Sequence, residues 1–160
     1  MRMLLAAVVV LILLSMACGC NNNMPVNNIK TGPTQTAEIH VPLSEDAPSG
    51  MELTVEFVGG ELKLAPGADG FLAAGQATFN VADFKPIVEV NGSSYIVRTG
   101  LMEIKGIPII KDDFVNTWDL LLAAAPMSLK INAGAYNGSF ELGGLALEKL
   151  AISEGGSDVT

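Results

Sequence analysis

From Thr36 onward the chain alternates apolar and polar residues in short runs. Leu53-Thr54-Val55-Glu56-Phe57 places Leu, Val and Phe on one side of an extended backbone and Thr and Glu on the other. A period of two marks a half-buried strand. Gly59-Gly60 interrupts the run, and Leu62-Lys63-Leu64 resumes it. Glu38-Ile39-His40-Val41 alternates more weakly, ahead of a polar loop from Ser44 to Gly50 that contains Pro48. Pro66-Gly67-Ala68-Asp69-Gly70 predicts a turn, and Phe71 to Phe79 a strand of small residues with Gly75 as a bulge. Pro86–Val90 and Tyr95–Arg98 flank Asn91-Gly92-Ser93-Ser94, a hairpin signal because Asn-Gly tolerates positive φ. Trp118 to Leu122 runs into good helix formers, but Pro126 follows closely and the run is too short for a stable helix, so a strand is expected.

Aligning the strands exposes a repeat. Leu53-x-Val55-x-Phe57, then Gly59-Gly60, then Leu62-x-Leu64 is one copy. Leu129-x-Ile131-x-Ala133, then Gly134, then Gly138 and Phe140-x-Leu142 is a second, and Leu150-x-Ile152, Gly155-Gly156 and Val159 begin a third. Leu129 and Leu150 are 21 residues apart, about one rung of a parallel β-solenoid, in which coils stack and share a core. The expected fold is therefore all-β: short strands and hairpins leading into a parallel β-solenoid-like stack, with rungs near 53–64, 129–142 and 150–160. The sequence stops at Ser157-Asp158-Val159-Thr160 in mid-strand, so the last rung is expected to be truncated or capped by another chain.

The first residues follow a different pattern. Met1-Arg2-Met3 leads into an uncharged apolar block from Leu4 to Leu14, and Ser15-Met16-Ala17-Cys18-Gly19-Cys20 follows. A positive start, a short apolar core and small residues before a cut have the layout of a secretory signal. The block is slightly short of the roughly 20 residues a spanning helix needs, and Asn21-Asn22-Asn23 replaces a basic stop signal. An uncleaved anchor helix is the alternative. The cysteine after small residues resembles the lipobox of bacterial lipoproteins, whose cysteine is lipidated and becomes the new N-terminus. Cys18 is the preferred position because it lies closer to the apolar core; Cys20 remains the alternative. The expected organisation is a signal peptide over 1–17, a flexible polar tether over 18–36 and an all-β domain over 37–160. The expected location is the bacterial cell membrane, with the protein lipid-anchored on its extracytoplasmic side. No cysteine follows position 20, so packing rather than a disulfide holds the body together.

The 160 residues carry 9 Lys and Arg against 17 Asp and Glu. An acidic chain lacks the basic surface that backbone recognition of nucleic acid requires. About 140 residues after the signal suffice for one domain with a real core.

Catalytic equipment is sparse. His40 is the only histidine, and without a cysteine in the body an ordinary zinc site has too few ligands. A Ser-His-Asp arrangement would have to use His40, and no Gly-x-Ser-x-Gly elbow supplies the serine. Asp112-Asp113 with Asp119 offers oxygen ligands for calcium, but reads more simply as a solvated loop. Gly155-Gly156-Ser157-Asp158 is a single incomplete copy of a calcium-binding nonapeptide. No pair among the acids stands out as the two carboxylates of a glycosidase. Asn91-Gly92-Ser93 and Asn137-Gly138-Ser139 read as turns. Trp118 is an exposed sugar platform or a core residue, and the leucines beside it favour the core. No catalytic, cofactor or metal site is expected.

Three stretches carry a family resemblance. They are Leu53–Leu64 running on through Ala68-Asp69-Gly70-Phe71-Leu72, Ala77 to Pro86, and Trp118–Leu122 leading into Leu129–Gly134 and Gly138–Leu142. Over residues 45–160 the chain resembles the N-terminal portion of the toast-rack proteins, bacterial envelope proteins of stacked parallel β-rungs. These resemble in turn the extracytoplasmic regions of regulators that respond to cell-wall-active antibiotics. The resemblance implies a β-solenoid or related all-β fold and brings no catalytic residues with it. The expected function is a non-catalytic, adhesin-like binding surface. A module modulating envelope-stress signalling is the alternative, and a carbohydrate-active enzyme the weaker one. The expected partners are the membrane, through the lipid, and an envelope protein or surface polymer. An adhesive surface predicts an extended sheet face with exposed aromatics or ladders of like side chains.

Overall fold

The computed structural model describes residues 26–44, 50–100, 107–109 and 113–160, with backbone alone at 26–28 and 107–109. The signal segment, Cys18, Cys20 and Asp112 lie outside these residues, as does most of the Ser44–Gly50 loop.

The described chain is built of ten strands and one short 3-10 turn: β1 Val26–Asn28, β2 Gln35–Pro42, β3 Met51–Pro66, β4 Phe71–Phe79, the turn Ala82–Phe84, β5 Ile87–Asn91, β6 Ser94–Arg98, β7 Ile107–Ile109, β8 Asn116–Leu122, β9 Met127–Phe140 and β10 Leu147–Val159. Strands β1 and β7 pair in parallel as a separate small ladder. The others form one branched sheet, ordered β10-β9-β3-β8-β4-β2, with β6 and β5 added on β3. The fold is all-β, but its sheet is mixed. Parallel pairing joins β6 and β8 to β3, β3 to β9 and β9 to β10, while β2–β4, β4–β8 and β5–β6 are antiparallel.

The three repeats are the three longest strands, and they lie side by side. Leu53 pairs with Leu129 and Leu129 with Leu150; Val55 pairs with Ile131 and Ile131 with Ile152. Past the corner, Leu62 pairs with Gly138 and Gly138 with Val159. The Gly59-Gly60 interruption is a bend within β3 rather than its end. Before it, Leu53, Val55 and Phe57 are buried; after it, Leu62 and Leu64 are. A regular strand keeps one parity on one side, so an irregular position must intervene, and the ladder omits Val58 against Gly134. Glycine is required there. At Gly60 (φ 120°) a Cβ would lie 2.0 Å from the Asn116 carbonyl oxygen, and at Gly134 a Cβ would lie 2.1 Å from that of Val58.

The bend gives the sheet two wings. On the free side of β3, its first half pairs with β6 and its second half with β8, and the chain leaves the sheet between Arg98 and Asn116. Side chains complete the corner there. Asn116 Nδ2 donates to the Gly59 carbonyl at 2.6 Å, and Thr99 Oγ1 accepts the Val58 N–H at 3.3 Å. Both residues are buried. Asn80 closes the returning chain: its Oδ1 accepts the Val115 N–H at 2.9 Å and its Nδ2 donates to the Asp113 carbonyl at 2.6 Å.

The inward sides share one core. Tyr95, Val97, Leu53, Val55, Leu129 and Ile131 come from one wing, and Leu62, Leu64, Trp118, Leu120, Ile39 and Val41 from the other. Phe57 joins them, its ring meeting Trp118 edge-on at 5.2 Å and Tyr136 at 6.3 Å. Burying a side chain of this size stabilises by roughly 1.5–3 kcal/mol.

Several sequence expectations change. Gly75 is not a bulge; it pairs in unbroken register between Ile39 and Leu120, and its hydrogen lets the Asp119 backbone close in. Asn137-Gly138-Ser139 is not a turn but the interior of β9. The hairpin is present, with Asn91 paired to Ser94 and Gly92-Ser93 as its two-residue loop. Packing begins ahead of the expected boundary at 37: Ile29 is buried in the core, and the Gly32 N–H donates to the Asn80 carbonyl at 2.7 Å.

Candidate functional site

The outward side of the β2-β4-β8 wing is polar because each strand contributes the opposite parity from its core residues. Register then sorts these residues into rows. Thr36 pairs with Thr78, Thr78 with Thr117, Thr117 with Glu61, Glu61 with Asn137 and Asn137 with Asp158. One polar row thus crosses six strands, with three threonines in succession. A second runs beside it through Glu38, Gln76, Asp119, Lys63 and Ser139. Gln76 Nε2 donates to Glu38 Oε1 at 3.1 Å within that row. Neighbouring strands sit about 4.8 Å apart, so hydroxyl, amide and carboxylate groups recur at that interval.

At the β10 end the first row enters an open groove of about 470 Å³, lined by Gly60, Phe114, Ala135, Tyr136, Asn137, Gly156, Ser157 and Asp158. Ala135 pairs with Gly156, so small residues from two neighbouring strands meet there. Tyr136 belongs to the inward parity. Its ring lies 6.2 Å from Phe140, and its hydroxyl donates to Glu154 Oε2 at 2.9 Å. Burial pushes the phenol up to about 12, and the hydrogen bond and negative charge of Glu154 add to the shift. Tyr136 is therefore a neutral donor at ordinary pH. Asp158 is the one carboxylate lining the groove.

Beyond β9, β10 lies at the sheet edge with its core-side residues uncovered. Leu150 is 43% exposed and Ile152 42%, although both continue rows that are buried on β3 and β9. A long strand with one unpaired edge is a template for further strand addition.

The residues singled out from sequence are dispersed. His40 is exposed on β2, its ring 4.8 Å from that of Phe71. Trp118 is fully buried, which settles it as core. Asp113 Oδ2 accepts the Thr31 hydroxyl at 2.7 Å, while Asp119 stands in the second polar row. Among the described residues no three of His, Cys, Asp or Glu gather where a metal ion could be held. The threonine row escapes sequence reading because its members come from three separate strands. The only local signal is that each occupies a polar slot of its strand.

Residues 30–160 match the family described as the N-terminal domain of toast_rack, DUF2154. No curated protein matches the chain. Among solved structures, a Clostridium sporogenes protein provisionally assigned to cell adhesion is similar at a TM-score of 0.67 and 18% identity, over 78% of this chain and 59% of that one. A provisionally assigned adhesin of Parabacteroides distasonis aligns at a TM-score of 0.39 and 13% identity, over 84% of this chain and 58% of that one. One of Bacteroides fragilis aligns at 0.42 and 11%, over 83% and 63%. The chain thus spans about 59% of the length of the Clostridium structure, whose likeness establishes the fold.

Proposed function

The chain belongs to the toast-rack N-terminal domain family, and from that premise we propose that it is a lipid-anchored, non-catalytic envelope protein that presents its sheet face for adhesive binding. The observation that carries this reading is the outward row through Thr36, Thr78 and Thr117, a ladder of like side chains continued by polar residues across β3, β9 and β10. The assignment of the Clostridium structure to cell adhesion supports it. In this reading the parallel strands β3, β9 and β10 are rungs of a solenoid, and β10 receives the next rung. Cys18, with Cys20 as the alternative, holds the lipid.

The anchor is tested by expressing Cys18→Ala and Cys20→Ala variants separately and fractionating the cells. One change releases the protein from the membrane; release by neither removes the lipoprotein reading. The surface is tested by cell attachment of the full chain. Thr78→Lys with Thr117→Lys abolishes attachment while the circular dichroism spectrum is kept, and Lys130→Ala on the other wing leaves it intact. Attachment that survives the double change defeats the reading.

A further inference from the structure

The polar row and the groove at its end form one continuous feature, and their chemistry narrows what can lie on it. The row spans six strands, about 24 Å at about 4.8 Å per strand interval. Its groups are hydroxyls, one amide and two carboxylates, with no cation. The groove repeats that balance: two aromatic residues, the half-buried Phe114 and the buried Tyr136, with Asn137, Ser157 and Asp158, and no lysine or arginine among its lining residues. Such a mixture of apolar surface and a few fixed polar groups suits a small ring carrying hydroxyls.

Other ligands fit poorly. A phosphate, nucleic acid or acidic polymer would meet Glu61 and Asp158, against which the two rows offer a single cation, Lys63, itself paired in register with Asp119. A metal ion lacks a third ligand among the described residues. An extended peptide binds a sheet through unpaired backbone groups at an edge; the free edge here is that of β10, so a peptide would run along β10, parallel to the strands, and not across them along the row. What remains is a ligand that repeats hydrogen-bonding groups along a line without net charge.

We infer that this row and groove bind a linear, uncharged polysaccharide laid across the strands, with one sugar seated in the groove against Phe114, Asn137 and Asp158. The inference rests on the binding-surface reading above and gives that surface a ligand class. In an extended β-1,4-linked polymer each sugar advances the chain by about one strand spacing, so successive sugars meet successive strands. The sugar's C–H face lies on the aromatic ring, and its hydroxyls donate to the carboxylate and exchange hydrogen bonds with the amide.

Gly156 supplies a clean obstruction. A Cβ built there has nothing within 4 Å, and no positive φ strains a substitution. Titration calorimetry of the full chain with cellohexaose, mannohexaose and hexa-N-acetylchitohexaose, and with acidic hexagalacturonate, is the test. At least one neutral hexasaccharide binds at one site, more tightly than its disaccharide, and hexagalacturonate does not. Gly156→Phe and, independently, Asn137→Ala weaken binding about tenfold or more, with unfolding midpoints confirming that both variants fold. Failure of all three neutral probes at millimolar concentration overturns the inference. So does binding indifferent to both variants, equal affinity for disaccharide and hexasaccharide, or a preference for the acidic probe. Attachment that depends on Thr78 and Thr117 but is not competed by a neutral hexasaccharide defeats the ligand assignment and leaves the adhesive surface standing. Shortening of a bound hexasaccharide defeats the non-catalytic reading instead.

Discussion

Strands β9 and β10 carry the same pattern and meet opposite fates. Leu129 and Ile131 are at most 1% exposed, whereas their paired neighbours Leu150 and Ile152 are 43% and 42% exposed. Residue type, parity and register are shared, so none of them explains the difference. What differs is the neighbour: β9 has a strand on each side, and β10 has one. Alternation states which side of a strand is apolar, while burial is a property of the stack. The corners show the same contrast, since a Cβ at Gly134 would strike the Val58 carbonyl and one at Gly155 would approach nothing closer than 3.6 Å.

The two strands differ most at the corner. Gly134→Val drives a side chain into backbone and is expected to cost about 3–5 kcal/mol, enough to unfold much of the population. Gly155→Ala, one strand over, is expected to cost less than about 1 kcal/mol. Urea midpoints of the two variants measure the gap, and equal losses would mean that β10 is as constrained as β9. A smaller contrast comes from the core rows. Ile131→Ala should lose about 2–5 kcal/mol and Ile152→Ala about 1 kcal/mol or less. If the two costs converge, something covers β10 in solution.

The subtlest test spans the two strands through the Tyr136–Glu154 hydrogen bond. The Tyr136 phenol is raised from 10.0 to about 12 in the folded protein. Above pH 10 the unfolded chain releases that proton while the folded one retains it, so stability falls as pH climbs from about 10 toward 12. Below pH 10 the contribution is fully present. Tyr136→Phe should flatten this part of the pH profile, as measured by unfolding midpoints at pH 9 through 11.5. An unchanged slope would place the titration elsewhere.

Much of the local structure was legible because short-range chemistry decides it. The Gly92-Ser93 hairpin loop, the strand containing Trp118 and the three long repeats follow from turn residues and alternation. What was hidden depends on contacts between distant segments. Gly59-Gly60 looks like a strand break, but β9 pairs on both sides of the bend and keeps the strand whole. Gly75 looks like a bulge because its actual cause, the close approach of Asp119, lies on another strand. The row through Thr36, Thr78 and Thr117 exists only after antiparallel register brings three strands together. Asn80, Thr99 and Asn116 gave no signal, since a buried polar residue is recognised by the backbone group it satisfies.

Those last residues bear on how such a protein tolerates change. Thr99 and Asn116 close the corner with their own side chains, and Asn80 fastens the returning strand. The corner is therefore closed by residues on either side of the excursion, and its described middle residues, Ile107–Ile109, pair with β1 apart from the main sheet. Doubling the length of a connection costs only about 0.6 kcal/mol in closure entropy. The excursion is in effect a socket: a foreign loop or a small folded insert spliced between Gly100 and Asp113 is expected to leave the wings and the Asn80–Asp113 bond as they are, at the expense of the small β1–β7 ladder. Variation among relatives should concentrate there, and a protein engineer would choose the same place for a graft.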